Sequence, residues 1–267
     1  MSVGRWVGVA AVALFGFGAA PASAQGWLSG DWYLKVGGAV LNAPKFEGAS
    51  GRVFSFQPMI SLGKAGPSAR FSSRNDNISL AFVDTGTFRA GAAGKLIWGR
   101  DGDTHPAIRG MAQVRFGGEA GGFAEIYPTG FLRLRAEVRH GIRSHDGVVA
   151  DLAADAFFDV TEKIQISGGP RASWASAGYF DAWYGVDAAE AAASGLSRYE
   201  PGGGMKSWGA GGAVTWRTTD RLTTSVFAEY QRLAGPAAAS SLVRERGAKD
   251  QLLVGASASY RFDFSLR

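Results

Sequence analysis

The side chains with most chemical potential in this chain are charged residues set two apart. Arg133, Arg135, Glu137 and Arg139 alternate with Leu132, Leu134, Ala136 and Val138. A period of two puts the charges on one face of a strand and the apolar residues on the other. Arg109, Arg115, Arg171 and Arg217 hold equivalent places in other alternating segments, and Lys35, Arg89, Lys95 and Arg261 extend the set. Glu125, Glu137, Asp151, Asp155 and Glu229 oppose them with fewer negative charges. Such a row either focuses a field that draws anions or is consumed in salt bridges across a narrow interior.

Other chemistry finds less support. His105, His140 and His145 show no H-x-x-x-H or H-E-x-x-H spacing, and no G-x-S-x-G turn surrounds Ser144 near His140. Cysteine is absent, which removes disulfides, thiolate metal sites and thiol nucleophiles together. The glycine clusters Gly202–Gly204 and Gly209–Gly212 have no following G-K-[ST], so they read as flexible loop and close strand approach rather than a phosphate loop. No catalytic, metal or cofactor site is expected. The net charge of +5 is scattered rather than clustered, so a nucleic-acid partner is not expected either. Lipopolysaccharide or peptidoglycan suits that balance at least as well.

The elements that carry these charges read as strands of an exported protein. Arg5, the apolar run Val7–Ala20 and the small residues Ala22-Ser23-Ala24 have the order of a secretory signal peptide. Residues 1–24 are therefore expected to be removed, leaving 25–267 as one domain. Alternation recurs at 31–41, 53–62, 77–84, 87–98, 107–116, 122–127, 131–140, 147–158, 163–174, 206–218, 222–232 and 251–262. The expectation is all-β: a transmembrane antiparallel barrel of about 12 strands. A soluble sandwich alternates too, but here the apolar faces are rich in Ala and Gly. Aromatic residues such as Trp98, Trp208, Trp216, Tyr230 and Tyr260 lie near strand ends, where amphipathic rings meet headgroups.

Connection lengths set the orientation. Tight turns at 128–129, 159–162 and 219–220 alternate with long segments at 42–52, 175–205 and 234–250. With both termini periplasmic, tight turns follow even strands and long outer loops follow odd ones. Two connections break this rhythm: 63–76 is long for a periplasmic turn and 84–86 short for an outer loop. The longest loop, 175–205, contains Asp187–Ala193, an acidic-start helix former. It also carries Tyr179, Phe180, Trp183, Tyr184 and Tyr199, a candidate outer surface or a self-packed cluster.

Several stretches resemble the MipA/OmpV family of outer-membrane proteins. They are Pro44–Gly48 (PKFEG), Gly121–Tyr127 (GGFAEIY), His145–Leu152 (HDGVVADL), Gly178–Val186 (GYFDAWYGV), Ala193–Pro201 (ASGLSRYEP), Arg232–Ser241 (RLAGPAAASS) and Ser259–Phe262 (SYRF). The chain departs from the family pattern at 235–238, where Gly-Pro-Ala-Ala replaces a usual acidic residue. The resemblance implies a non-enzymatic outer-membrane barrel contacting lipid and lipopolysaccharide. It further implies a scaffold for periplasmic peptidoglycan-remodelling enzymes, or a role in envelope adaptation. A narrow channel for small anionic solutes and a surface adhesin are the alternatives.

Overall fold

The computed structural model describes residues 29–64, 71–73, 75–102 and 105–266; the expected signal peptide at 1–24 lies outside them. Eleven strands form one sheet: β1 (Gly30–Pro44), β2 (Arg52–Lys64), β3 (Ile78–Asp84), β4 (Phe88–Ile97), β5 (Gly117–Thr129), β6 (Leu132–Ile142), β7 (Val148–Asp159), β8 (Ile164–Ala175), β9 (Gly204–Arg217), β10 (Leu222–Leu233) and β11 (Asp250–Leu266). All ladders are antiparallel, in the order β2-β1-β11-β10-β9-β8-β7-β6-β5-β4-β3. The sheet curls until its edges, β2 and β3, come into contact, without a ladder between them among the described residues. Among those residues no helix is long and apolar enough to cross a membrane.

The two faces are inverted relative to a soluble protein. Val40, Phe54, Leu96, Val138, Leu152, Ile166, Trp216, Val226 and Phe262 project outward and are exposed. Glu119, Glu125, Arg133, Arg135, Glu137, Arg139 and Asp155 project inward and are buried. An apolar exterior around a polar interior is stable only where the surrounding solvent is hydrocarbon. A sandwich would bury the other face, so the fold is a membrane barrel.

The segment 107–116 is not a strand, so the described residues form 11 strands where about 12 were expected. Pro106–Ile108 form a 3-10 turn capped by His105, and only Val114 bridges back, to Arg100. Gly110 has φ +84°, and a Cβ there would lie 2.7 Å from the backbone of Ala193 and Ser194. A left-handed glycine and a proline interrupt the ladder that the alternation suggests. Arg109 and Arg115 are therefore exposed residues of the long β4–β5 connection, not lumen-lining strand residues.

The parity of the connections shifts with the strand count. Tight turns at 85–87, 130–131, 160–163 and 218–221 follow odd strands. They share one end of the barrel with both sheet termini, since Gly30 pairs with Leu266 and Arg261 with Arg221. The connections at 45–51, 98–116, 143–147, 176–203 and 234–249 share the other end. Because β2 and β3 run in the same direction, the chain must return from the tight-turn end before β3 begins. The described residues 71–73 and 75–77 lie inside the barrel, against β5, β6 and β8. The 84–86 connection is a hairpin at the tight-turn end, and of 63–76 the described residues 71–73 and 75–76 sit in the lumen.

Candidate functional site in the lumen and cap

Two sites occupy the barrel axis. The lower one joins the lumenal strap 71–77 to the arginines of β6. Arg133 forks onto Asp76, with Nη1 and Nη2 at 2.6 and 2.7 Å from its carboxylate oxygens, and donates to Asp155 at 2.7 Å. Its guanidinium also lies 5.1 Å from the ring of Phe71, which stacks on Phe157 at 4.5 Å. Arg171 from β8 pairs with Asp155 and donates to Ser73 at 3.3 Å. Asn77 donates to Glu137 at 2.8 Å, and Phe71 O accepts from Tyr127 at 3.2 Å. Strap and wall thus satisfy each other.

Register fixes the rest of the network. Arg135 and Arg89 both pair with Glu125 at 2.7 Å, because both strands place these residues opposite it. Arg135 Nε donates to Glu137 at 2.8 Å. Arg139 pairs with Glu119 at 2.9 Å, with Asp151 at 2.5 Å and with Glu137. Arg217 sits at the tight-turn rim, half-exposed, 3.0 Å from Asp159. Of the sequence-predicted basic residues, Arg133, Arg135, Arg139 and Arg171 meet in the lumen and are ion-paired. Arg217 stands apart at the rim, and Arg109 and Arg115 are not brought to the lumen.

The upper site is a cap over the long-loop end. It contains α1 (Ala177–Tyr184), α2 (Ala188–Ser194), α3 (Gly235–Ala239) and α4 (Ser241–Arg246). The expected helix over 187–193 is α2, where Asp187 and Glu190 form a reciprocal capping box. Tyr179, Phe180 and Tyr184 are 4%, 0% and 1% exposed and pack with Val149, Leu233, Ala237 and Val243. Of the two readings of the aromatic cluster, Tyr179, Phe180 and Tyr184 take the self-packed one. Tyr199 is part-buried against the neighbouring cluster of Ile108, Val186, Leu196 and Leu242, its hydroxyl donating to Pro236 O at 2.9 Å. Trp183 flanks the first cluster.

Glu47, on the β1–β2 loop, lies at the centre of this cap. It accepts from Tyr184 at 2.8 Å, from Tyr179 at 3.4 Å and from Lys206 at 3.3 Å. Burial alone would raise its pKa, but Lys206 and the Tyr184 hydroxyl outweigh that and hold the carboxyl below its ordinary value. Burial beside Glu47 pushes both phenols upward, so they remain donors. Gly48 follows at φ +97°, with a Cβ position 2.9 Å from Val243. Only glycine passes this turn under α4 without strain.

The sequence reading missed Glu47, Asp76 and Glu119. Asp76 lay in an apparent turn, and Glu119 preceded the expected start of its strand. Glu47 stood in the PKFEG motif without an assigned role. The histidines are separate: His105 caps its turn, His140 lies 3.3 Å from Asp146, and buried His145 lies 3.2 Å from Glu119. Among the described residues no group of His, Cys, Asp or Glu is arranged to hold a metal.

Between cap and lumen lies a cavity of about 290 Å³, lined in part by Phe46, Glu47, Lys95, Arg100, Tyr179 and Trp183. Arg100 is 5% exposed, donates to Trp183 O at 3.0 Å, and stacks 5.3 Å from the Trp183 ring. Burial lowers its pKa, an effect partly offset by Tyr184 and Tyr179.

Solved structures similar to the chain include Neisserial surface protein A (11% identity, 87% of this chain and 99% of that chain, TM-score 0.29). A bacterial polysaccharide outer membrane secretin gives 8% identity over 86% and 98%, with TM-score 0.43. A Pseudomonas aeruginosa FadL homologue gives 9% over 86% and 90%, with TM-score 0.39. Likeness at this level says nothing about ligand or activity, and the fold assignment stands on the strand register and inverted faces. A search of curated proteins returned no significant match. The sequence model of the family described as "MltA-interacting protein MipA" matches residues 36–262, from within β1 to within β11. Over that span the resemblance seen in PKFEG and the cap motifs is a family membership: the chain belongs to the MipA family.

Proposed function

We propose that this outer-membrane barrel works as a closed scaffold that presents its tight-turn end to a periplasmic peptidoglycan-remodelling enzyme. The observation that carries the reading is the filled lumen. The strap 71–77 and the paired Arg133, Arg135, Arg139 and Arg171 occupy the section where a channel would need free charge and water. The family description adds the partner class, since it is named for interaction with MltA. In this reading both termini and the four tight turns face the periplasm, the exposed apolar belt contacts lipid, and the cap faces lipopolysaccharide and the exterior.

The narrow anion channel expected from the excess of arginines loses its basis when those arginines are neutralised by Asp76, Glu119, Glu125, Glu137, Asp151 and Asp155. The scaffold is tested by capture. The full-length barrel in lipid nanodiscs is incubated with purified MltA-type lytic transglycosylase, and the expected result is saturable retention that is lost when the tight turns 130–131 and 160–163 are exchanged for unrelated turns of equal length. No retention by the native barrel overturns the reading.

A further inference from the structure

Two cations singled out in the sequence, Lys35 and Arg261, take no part in the lumenal network. They stand directly opposite each other on the β1–β11 ladder. Like charges so placed destabilise a sheet. Arg89, Arg133, Arg135, Arg139 and Arg171 each hold a carboxylate partner. Lys35 has none among the described residues, and the charge acting on it is Arg261. Arg261 gives only its Nε to a carboxylate, Asp263 at 2.7 Å, and its two Nη groups make no hydrogen bond among the described residues. Both side chains remain part-exposed. Lys35 and Arg261 lie 5.6 and 4.7 Å from the ring of Tyr33, whose face eases the repulsion without cancelling two charges. A charge left without a counter-charge inside a membrane barrel points to a binding position.

Register arranges the surroundings in layers. Counting inward from the tight-turn end, the lumen-side pairs are Asp31 with Ser265, Tyr33 with Asp263 and Lys35 with Arg261. The first and third layers are about 13 Å apart along the strand. Carboxylates thus stand at the rim and the cations deeper. A bare anion would have to pass Asp31 and Asp263, whereas a peptide would meet them with its amide N–H groups. The planar fork of Arg261 suits a carboxylate arriving at the deeper layer. We propose that this mouth binds the C-terminal end of an extended peptide, with its free carboxylate between Lys35 and Arg261 and its backbone amides toward Asp263 and Asp31. The inference rests on the scaffold reading in placing this end in the periplasm, and it deepens that reading by naming what the end recognises.

The test is calorimetric titration of the full-length barrel in non-ionic detergent micelles with acetyl-Ala-Ala as the free acid, with its C-terminal amide and with acetate. The free acid is expected to bind saturably. The amide, which lacks the charge, and acetate, which lacks the chain, are each expected to bind at least about tenfold more weakly. Lys35→Met is expected to weaken the free acid by about tenfold or more. The same variant should withstand urea at least as well as the native barrel, since it removes a like-charge opposition. Arg261→Gln is expected to weaken the free acid to a similar degree, and keeps the test decisive if Lys35→Met does not fold. Absence of saturable binding, an amide or acetate as tight as the free acid, unchanged affinity in either folded variant, or lower urea resistance in Lys35→Met overturns the proposal. No enzyme is present in the titration, so failure of peptide binding and failure of MltA retention are read separately.

Discussion

Arg133 in the lumen and Tyr184 in the cap are each 1% exposed, yet they are buried by different means. Arg133 is surrounded by Asp76, Asp155, Glu125 and the Phe71 ring. Tyr184 is surrounded by Phe180, the α3–α4 turn and the carboxylate of Glu47. The difference follows from what lies outside each wall. Around the lumen the outer face meets hydrocarbon, so apolar side chains gain nothing by turning inward, and the interior collects the charges. The cap stands in water and is held by an ordinary hydrophobic core. One chain therefore carries a polar core and an apolar core in series, joined at the Glu47–Lys206 pair.

The largest expected effect is in the polar core. Arg133→Met leaves Asp76 and Asp155 without their fork, and removing one partner from a buried ion pair costs about 3–5 kcal/mol. Urea unfolding of the barrel in lipid vesicles should show a loss of that order, together with deprotection of 71–77 in hydrogen exchange. A loss below about 1 kcal/mol, as for an exposed pair, would mean that strap and wall are not coupled.

In the cap, Tyr184→Phe removes one donor from a buried carboxylate and should cost about 1.5–3 kcal/mol, felt in α1 and α3 but not in the β6–β7 ladder. The same site responds to pH. Glu47 has a folded pKa below its ordinary value, so it stabilises the cap at and above the usual carboxylate range and loses that contribution as pH falls through the folded value. Protection factors of the α1 amides, corrected for the intrinsic pH dependence of exchange, should therefore fall on acidification, and in Tyr184→Phe they should begin to fall at higher pH. Protection factors independent of pH from neutral to acid would mean that Glu47 does not stabilise the cap. The smallest effect is Asp187→Ala, which deletes the capping box of α2 and should cost about 1 kcal/mol, with unchanged protection in every strand.

The strands were legible because period-two alternation survives wherever one face meets lipid and the other the lumen. The charge row of β6 could be read directly, but its partners could not. Asp76 reaches Arg133 only because β2 and β3 run the same way, a relation that depends on which edges meet, not on local pattern. Its trace in the sequence was two connections of the wrong length. The segment 107–116 misled for the opposite reason: its side chains alternate, yet Pro106 and the left-handed Gly110 bend it under α2. The cap aromatics were visible as a cluster, but their burial depends on α3 and α4, some fifty residues away.

Planar-bilayer conductance of the purified full-length barrel tests whether the lumen is filled. Native protein is expected to insert silently. Exchanging residues 71–77 for a Gly-Ser segment of equal length should turn the same preparation into one with steady unitary currents, as the strap leaves the lumen. Steady ohmic current through the native barrel would mean that the lumen is open.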